Sequence, residues 1–449
     1  MLIYKKVIKS SLWLFVADNL HTIVTFALFP LYTNVLSTSQ FGQIAVITFF
    51  GVLVSSFITL QLSSSIPKNY TDLKKSEFIT YFSSIFSFSL CLFLLLLLFF
   101  FILFYFNVFE VIYSNITHLN TLLMITVIST YLTQVTNLFN KLLISLGNTK
   151  LIFYRKLALA PISLFCGYYF VIYSEWGVVG YFLSILIPSV FSFLISYFSV
   201  YGFIKYFFSF FYIKKALKVS IPLVPSSLLI ILSTRIDVII LEKYVTQSSL
   251  GVYFCAFRIA QLYRYSLDAF NACFVPHLFA KLKSEKLATF SLLKAHLYKL
   301  SLICIIIHIV LYFVSPSLVN FFLHPEYKDI SLYLPFLFLG YNFRTLYSTF
   351  ASIALYEDSS YYIFINSLII FFISTILYFV LIKEFSLYGA SSAFILISFL
   401  SSFFMHNLNF FTIDGYSAFG YKIFVLPIIY TLIFLILFHF NTIFYENYS

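Results

Sequence analysis

Arginine suits phosphate recognition because its planar guanidinium donates two parallel hydrogen bonds and keeps its charge at any physiological pH. Arg258, Arg264 and Arg344 lie inside strongly apolar stretches of this chain, and so does Lys141. At about 100° per residue, Arg258, Gln261, Arg264, Asp268 and Asn271 share an arc of roughly 140° on one helix. Arg264 and Asp268 are four residues apart and can pair. Asp18, His21, Thr22, Thr25 and Tyr32 align on a second helix, and Thr126, Thr130, Thr133, Asn137, Asn140 and Lys141 form a stripe on a third. Asp237 shares a face with Ser226 and Ser233, with Arg235 nearly opposite, and Arg344 stands beside Thr345 and Ser348. Ionisable groups at membrane depth are costly and normally face an interior cavity. Cations outnumber the nearby acids, so an anion is the expected ligand, held by Arg258, Arg264, Arg344 and Lys141. Asp18, His21, Asp237 and Asp268 are the candidates for coupling an ion, with Gln261 and Asn137 as polar cavity groups.

Plainer roles compete for the same residues. Arg264–Asp268 can be a structural pair, the Ser/Thr stripe can serve helix packing, and Arg235 and Asp237 can reach headgroups from a span end. His308 and His406 stand on apolar faces and read as packing groups. No catalytic set emerges, since Asp-x-Asp, Walker and nucleophile-elbow patterns are all missing. The five cysteines sit in apolar stretches without a Cys-x-x-Cys pair, so no metal, disulfide or cofactor is expected.

The elements that must position these groups are membrane helices. Of 449 residues, 61% are hydrophobic and 10% charged, with a mean hydropathy of +0.99; a soluble domain carries about 25% charged residues. A transmembrane barrel would show segments of about ten residues with alternating polarity, and the chain lacks them. Breaks at polar or turn-forming clusters give thirteen spans, at 11–36, 40–66, 78–106, 119–146, 151–174, 177–201, 217–242, 249–280, 290–315, 329–355, 360–382, 387–411 and 421–440. Lys5, Lys6 and Lys9 precede an apolar stretch without a small-residue cleavage site, which reads as a retained first span. With a cytoplasmic N-terminus, eighteen of the 27 Lys and Arg fall on the inside, and only Lys243, Lys328 and Lys383 lie outside. That bias sets the orientation and assigns the net charge of +11 to topology and anionic lipid contact rather than to nucleic acid.

The two halves align at one constant offset. Gly42 matches Gly251, Pro67 matches Pro276, Glu175-Trp176 matches Glu384-Phe385 and Gly180 matches Gly389, each 209 residues apart. Six helices per repeat make the copies parallel, related by a pseudo-twofold axis along the membrane normal, and transporters of this kind bind substrate between the halves. The expected organisation is an N-terminal six-helix lobe (1–205), a basic cytoplasmic linker (206–216), a C-terminal six-helix lobe (217–411) and an extra span with a tail (412–449).

The segment Leu28-Phe-Pro-Leu-Tyr-Thr-Asn-Val-Leu-Ser-Thr-Ser-Gln-Phe-Gly-Gln43 resembles the opening of Wzx-type oligosaccharide flippases of the multidrug/oligosaccharidyl-lipid/polysaccharide exporter superfamily. Ile221-Pro-Leu-Val-Pro-Ser, Arg235-Ile-Asp237, Leu250-Gly-Val-Tyr253 and Leu387-Tyr-Gly-Ala390 are similar to the corresponding second-lobe motifs. The resemblance implies an all-α, MATE-like fold of two six-helix bundles alternating between inward and outward openings in a bacterial plasma membrane. It implies an undecaprenyl-pyrophosphate-linked oligosaccharide as cargo. Cationic residues on the first, second and eighth spans would bind it; here the eighth span carries Arg258 and Arg264, but the interiors of the first and second hold no Arg or Lys. Partners expected with this reading are membrane lipids, a coupling ion (H+ or Na+) and other polysaccharide-assembly proteins. A drug exporter of the same superfamily would want an acidic cavity for cationic cargo. A membrane-embedded polymerase or glycosyltransferase would need a larger extramembrane loop than the dozen or so residues at 107–118 and 315–330.

Overall fold

The computed structural model describes residues 26–108, 116–205, 208–284, 286–357, 360–413, 416 and 420–448. Among the described residues the chain is helical, with no strand. Eight helices are long and apolar enough to cross a membrane, and Tyr421–Ile436 forms a shorter apolar helix.

By internal contact the chain forms two compact units, Met1–Glu242 with Thr246–Gly251, and Lys243–Val245 with Val252–Ser449. In the first unit α1 (Phe29–Val35) leads to α2 (Thr38–Ile58), α3 (Ile66–Asp72), α4 (Lys75–Tyr105) and α5 (Leu119–Ser145). Then follow α6 (Thr149–Gly167), extended by a π-helical turn over Tyr168–Tyr173, and α7 (Gly177–Val200), α8 (Phe210–Ser220) and α9 (Leu223–Tyr244). α10 (Gln247–Ser284) opens in this unit and continues in the second, with α11 (Lys286–Phe322), α12 (Ile330–Tyr356), α13 (Ser360–Thr412) and α14 (Val425–Tyr448). Each span expected from hydropathy coincides with a helix. Of the first, only the end at α1 is described; Lys5, Lys6, Lys9, Asp18 and His21 lie outside the described residues.

Three spans depart from a simple rod. The second breaks after Ile58, because Leu60 and Gln61 adopt left-handed φ of 44° and 57°; a 3-10 turn at Leu62–Ser65 then leads into α3. The seventh splits into α8 and α9 at Pro222, which has no N–H to donate to the Lys218 carbonyl. The eleventh and twelfth are the two arms of α13, separated at Ser386, whose φ of 50° and ψ of −124° are not helical.

Lipid tails are as apolar as leucine, so burial alone cannot hold such helices together, and close packing with interhelical hydrogen bonds must. In the first unit the Tyr81 hydroxyl donates to Ser65 Oγ at 2.7 Å and accepts from Asn69 Nδ2 at 2.9 Å, pinning the break after α2 to α4. In the second, Ser402 Oγ donates to the Phe343 carbonyl at 2.6 Å and Asn409 Nδ2 to the Phe350 carbonyl at 2.9 Å, locking α13 along α12. α14 is held through His308 of α11. Nε2 donates to the Pro335 carbonyl at 2.8 Å, which leaves Nδ1 to accept the Tyr430 hydroxyl at 2.5 Å. His308 and His406 are thus packing groups that also bond, the latter through Nδ1 to the Tyr416 hydroxyl at 3.1 Å.

The internal repeat recurs as backbone chemistry. Ser37 caps α2 by accepting the Gln40 amide at 3.3 Å, and Thr246, 209 residues on, caps α10 by accepting the Ser249 amide at 3.2 Å. Gly177 has a φ of +55° and Ser386, at the same offset, +50°. Gly42 and Gly251 mark a close approach in the first unit. A Cβ on Gly42 would lie 2.1 Å from the Gln247 carbonyl oxygen, and one on Gly251 would lie 1.8 Å from that of Thr38.

Candidate functional site

The described part of the cationic cluster is built by α10 and α12 in the second unit. An aromatic set fixes these helices above it. Phe257 meets Tyr341 and Phe394 edge-on at 6.0 and 5.5 Å, and Tyr263 meets Phe338 at 5.4 Å. The Tyr263 hydroxyl donates to Asn342 Oδ1. This bond joins the residue before Arg264 to the residue two before Arg344, so both arginines stand at one level. Arg264 Nε lies 3.4 Å from Asp268 Oδ2.

The pair is open to the surroundings, with the Arg264 side chain 32% exposed and that of Asp268 52%. Arg264 stacks over Tyr265 with its guanidinium carbon 5.0 Å from the ring centroid, and Arg258 does so over Phe254 at 5.2 Å. Stacking holds a guanidinium by its face and leaves its edge, where the N–H donors are, turned outward. Gln261 lies half-buried between the two arginines on α10. The face therefore offers two stacked arginines and a third from α12, with one carboxylate among them.

The other expected residues fall elsewhere. Lys141 and Asn137 are exposed on α5 in the first unit, and Asp237 is fully buried on α9, where Oδ1 accepts the Val238 amide at 2.9 Å. The side chain of Asn271 lies outside what is described. The α5 stripe is structural in part, since Thr126 and Thr133 turn back to the Leu122 and Ser129 carbonyls at 2.8 Å. One strong cation has a role that periodicity does not reveal. Arg155 on α6, which falls among the cytoplasmic cations in the sequence, is buried and donates to Ser196 and, at 2.8 Å, to Asn140 Oδ1.

A small recess, with room for about one water, lies between α11, α12 and α14, lined by Leu300, Ser301, Cys304, Leu339, Asn342 and Tyr430 among others. Its lining is mostly apolar, and none of the arginines is part of it. Among the described residues no group of His, Cys, Asp or Glu could hold a metal ion, and Cys91, Cys166, Cys255 and Cys304 are free thiols.

The sequence model of a family described as polysaccharide biosynthesis protein matches residues 7–279. No curated protein matches the sequence. Among solved structures, lipid II flippase MurJ in an inward closed conformation superposes with a TM-score of 0.67 at 19% identity, over 99% of each chain. An inward-facing multidrug resistance MATE family transporter of the MOP superfamily also gives 0.67, at 12% identity over 94% of each chain. The MATE transporter VcmN of Vibrio cholerae, in its bent form, gives 0.58 at 13% identity over 95% of this chain and 99% of that one. At these identities the likeness is one of fold.

Proposed function

The chain belongs to the polysaccharide biosynthesis protein family, and from that premise we propose that it flips an undecaprenyl-pyrophosphate-linked oligosaccharide across a bacterial plasma membrane. The cargo would be the repeat unit of an O-antigen, capsule or exopolysaccharide, moved by alternating access. One observation carries the choice of cargo: the Tyr263–Asn342 bond brings Arg264 and Arg344 to one level, with Arg258 two turns from Arg264 on the same helix. A pyrophosphate linked to lipid and sugar is an anion whose oxygens match the guanidinium fork. Gln261 on α10 supplies a further polar contact in this reading, and Lys141 and Asn137 on α5 are a separate exposed polar set of the first unit. Transport needs a source of free energy, and no nucleotide-binding motif is present in the sequence. A proton or sodium gradient is the proposed driver, with Asp237, Asp268, Asp18 and His21 as the groups that carry the ion. A cationic drug is disfavoured as cargo by the same arginines.

The test is complementation of a flippase-null strain. Arg258→Ala or Arg264→Ala should abolish export of the surface glycan while the protein stays in the membrane at its normal level. Full complementation by both variants would sink the cationic-site reading.

A further inference from the structure

A carboxylate is an odd neighbour for a phosphate site. At a few ångströms its charge repels the ligand by an amount that grows as water is excluded, yet Asp268 stands against Arg264, whose helix is tied through Tyr263 to Asn342, two residues before Arg344. Its contact with Arg264 is weak by every geometric measure. It runs to Nε alone at 3.4 Å, where a charge-assisted hydrogen bond would be about 2.7–2.9 Å and a strong pair would use two donors. The arginine precedes the acid on the helix, the less favourable order for a pair spaced four apart. With side-chain exposures of 32% and 52%, the pair is of the kind that contributes at most about 1 kcal/mol. It is therefore poor as a structural brace. Arg264 does not depend on it for position either, because it is stacked on Tyr265.

The cluster makes sense as a site that is occupied by its own carboxylate while it waits. Two arginines left bare at membrane depth would be costly. They would also fill with the commonest anions of the cytoplasmic leaflet, lipids carrying a single negative charge, which outnumber any lipid-linked intermediate. A resident carboxylate answers both problems. It neutralises one of the two cations, and it competes on equal terms with a singly charged headgroup but not with a pyrophosphate.

Building on the function proposed above, we infer that Asp268 determines specificity: it occupies Arg264, at the level where Arg344 stands, until a headgroup with at least two negative charges displaces it. Arg264 and Arg344 bind; Asp268 excludes. When the cargo leaves, the carboxylate returns and closes the site to single-charge lipids.

The experiment uses the full-length protein in phosphatidylcholine nanodiscs, doped with either undecaprenyl pyrophosphate or phosphatidylglycerol as the probe. The wild type should bind undecaprenyl pyrophosphate and discriminate against phosphatidylglycerol. Asp268→Asn, nearly isosteric, should raise phosphatidylglycerol affinity about tenfold and pyrophosphate affinity less, so that the selectivity ratio falls. Asp268→Glu should restore the ratio. Weakened binding of both lipids by Asp268→Asn, or an unchanged ratio, would mean that Asp268 only braces the fold and would overturn the inference. Arg264→Ala separates this from the parent reading. If it loses pyrophosphate binding while Asp268→Asn leaves selectivity unchanged, the cationic site stands and the filter alone fails. If Arg264→Ala binds as the wild type does, the cationic site fails and the filter with it.

Discussion

Arg155 is 4% exposed between α5, α6 and α7, and among the described residues no carboxylate pairs with it. Its fork divides between Asn140 and Ser196, and the Ser196 hydroxyl in turn donates a hydrogen bond to the Ser192 carbonyl at 2.6 Å. A charge so placed ties three helices through one planar group, a task lysine cannot copy because its ammonium is a single point. Arg155→Ala should lower the stability of the detergent-solubilised protein by about 3 kcal/mol, since two hydrogen bonds to a charged group are lost and their partners stay buried. Arg155→Lys should recover only part of it. Thermal melting checks both, and an unchanged melting point for Arg155→Ala would show that the two bonds contribute nothing. The contrast with Arg258, Arg264 and Arg344 explains what the residues alone reveal. Those three stand out because a charge within an apolar helical period is conspicuous in any one stretch. Arg155 lies near a span end among other cations, and its partners are 15 and 41 residues away, so its burial is a property of helix packing that no local period encodes.

At the scale of elements, the hydropathy pattern located the long described helices because bilayer thickness imposes length and composition together, but not the short α3 or the start of α8. What it could not locate were the bends, which depend on single backbone conformations. Pro222 announced one, and the other two turn on residues with positive φ. Ser386 is the telling case. Its repeat partner is Gly177, and both sit in the left-handed half of the map where the chain reverses between helices. Glycine adopts that conformation freely, whereas a residue with a Cβ pays about 1–3 kcal/mol for it. The first copy has the unstrained residue and the second does not. Ser386→Gly should therefore raise the melting temperature, with a gain of about 1 kcal/mol after allowance for the freer unfolded chain. Gly177→Ala should lower it by a similar amount. A destabilised Ser386→Gly would mean that its hydroxyl supports the turn by more than the backbone strain costs.

At the scale of the whole chain, topology is the property most directly legible in the sequence, because charge is excluded from translocated short loops regardless of how the helices later pack. With the N-terminus inside, the sequence places eighteen Lys and Arg inside against three outside, and that split holds only if the expected thirteen spans alternate strictly. The two arms of α13 are the sensitive point. They are continuous apart from Ser386, and if they formed one span, Lys383 would fall inside the membrane and Lys422 would move to the outer side. An odd count with a cytoplasmic N-terminus places residue 449 outside. A phosphatase fused after Ser449 should be active, and a green fluorescent protein fused there should stay dark. The loops give an independent check. Glu326→Cys, exposed between α11 and α12, should react with a membrane-impermeant maleimide on intact cells, and Lys75→Cys, exposed at the start of α4, should not. A cytoplasmic signal at the C-terminus with both cysteines behaving as expected would place the error after α12, in α13 or α14. Labelling of Lys75→Cys from outside would invert the entire molecule, and with it the side from which cargo first meets Arg264.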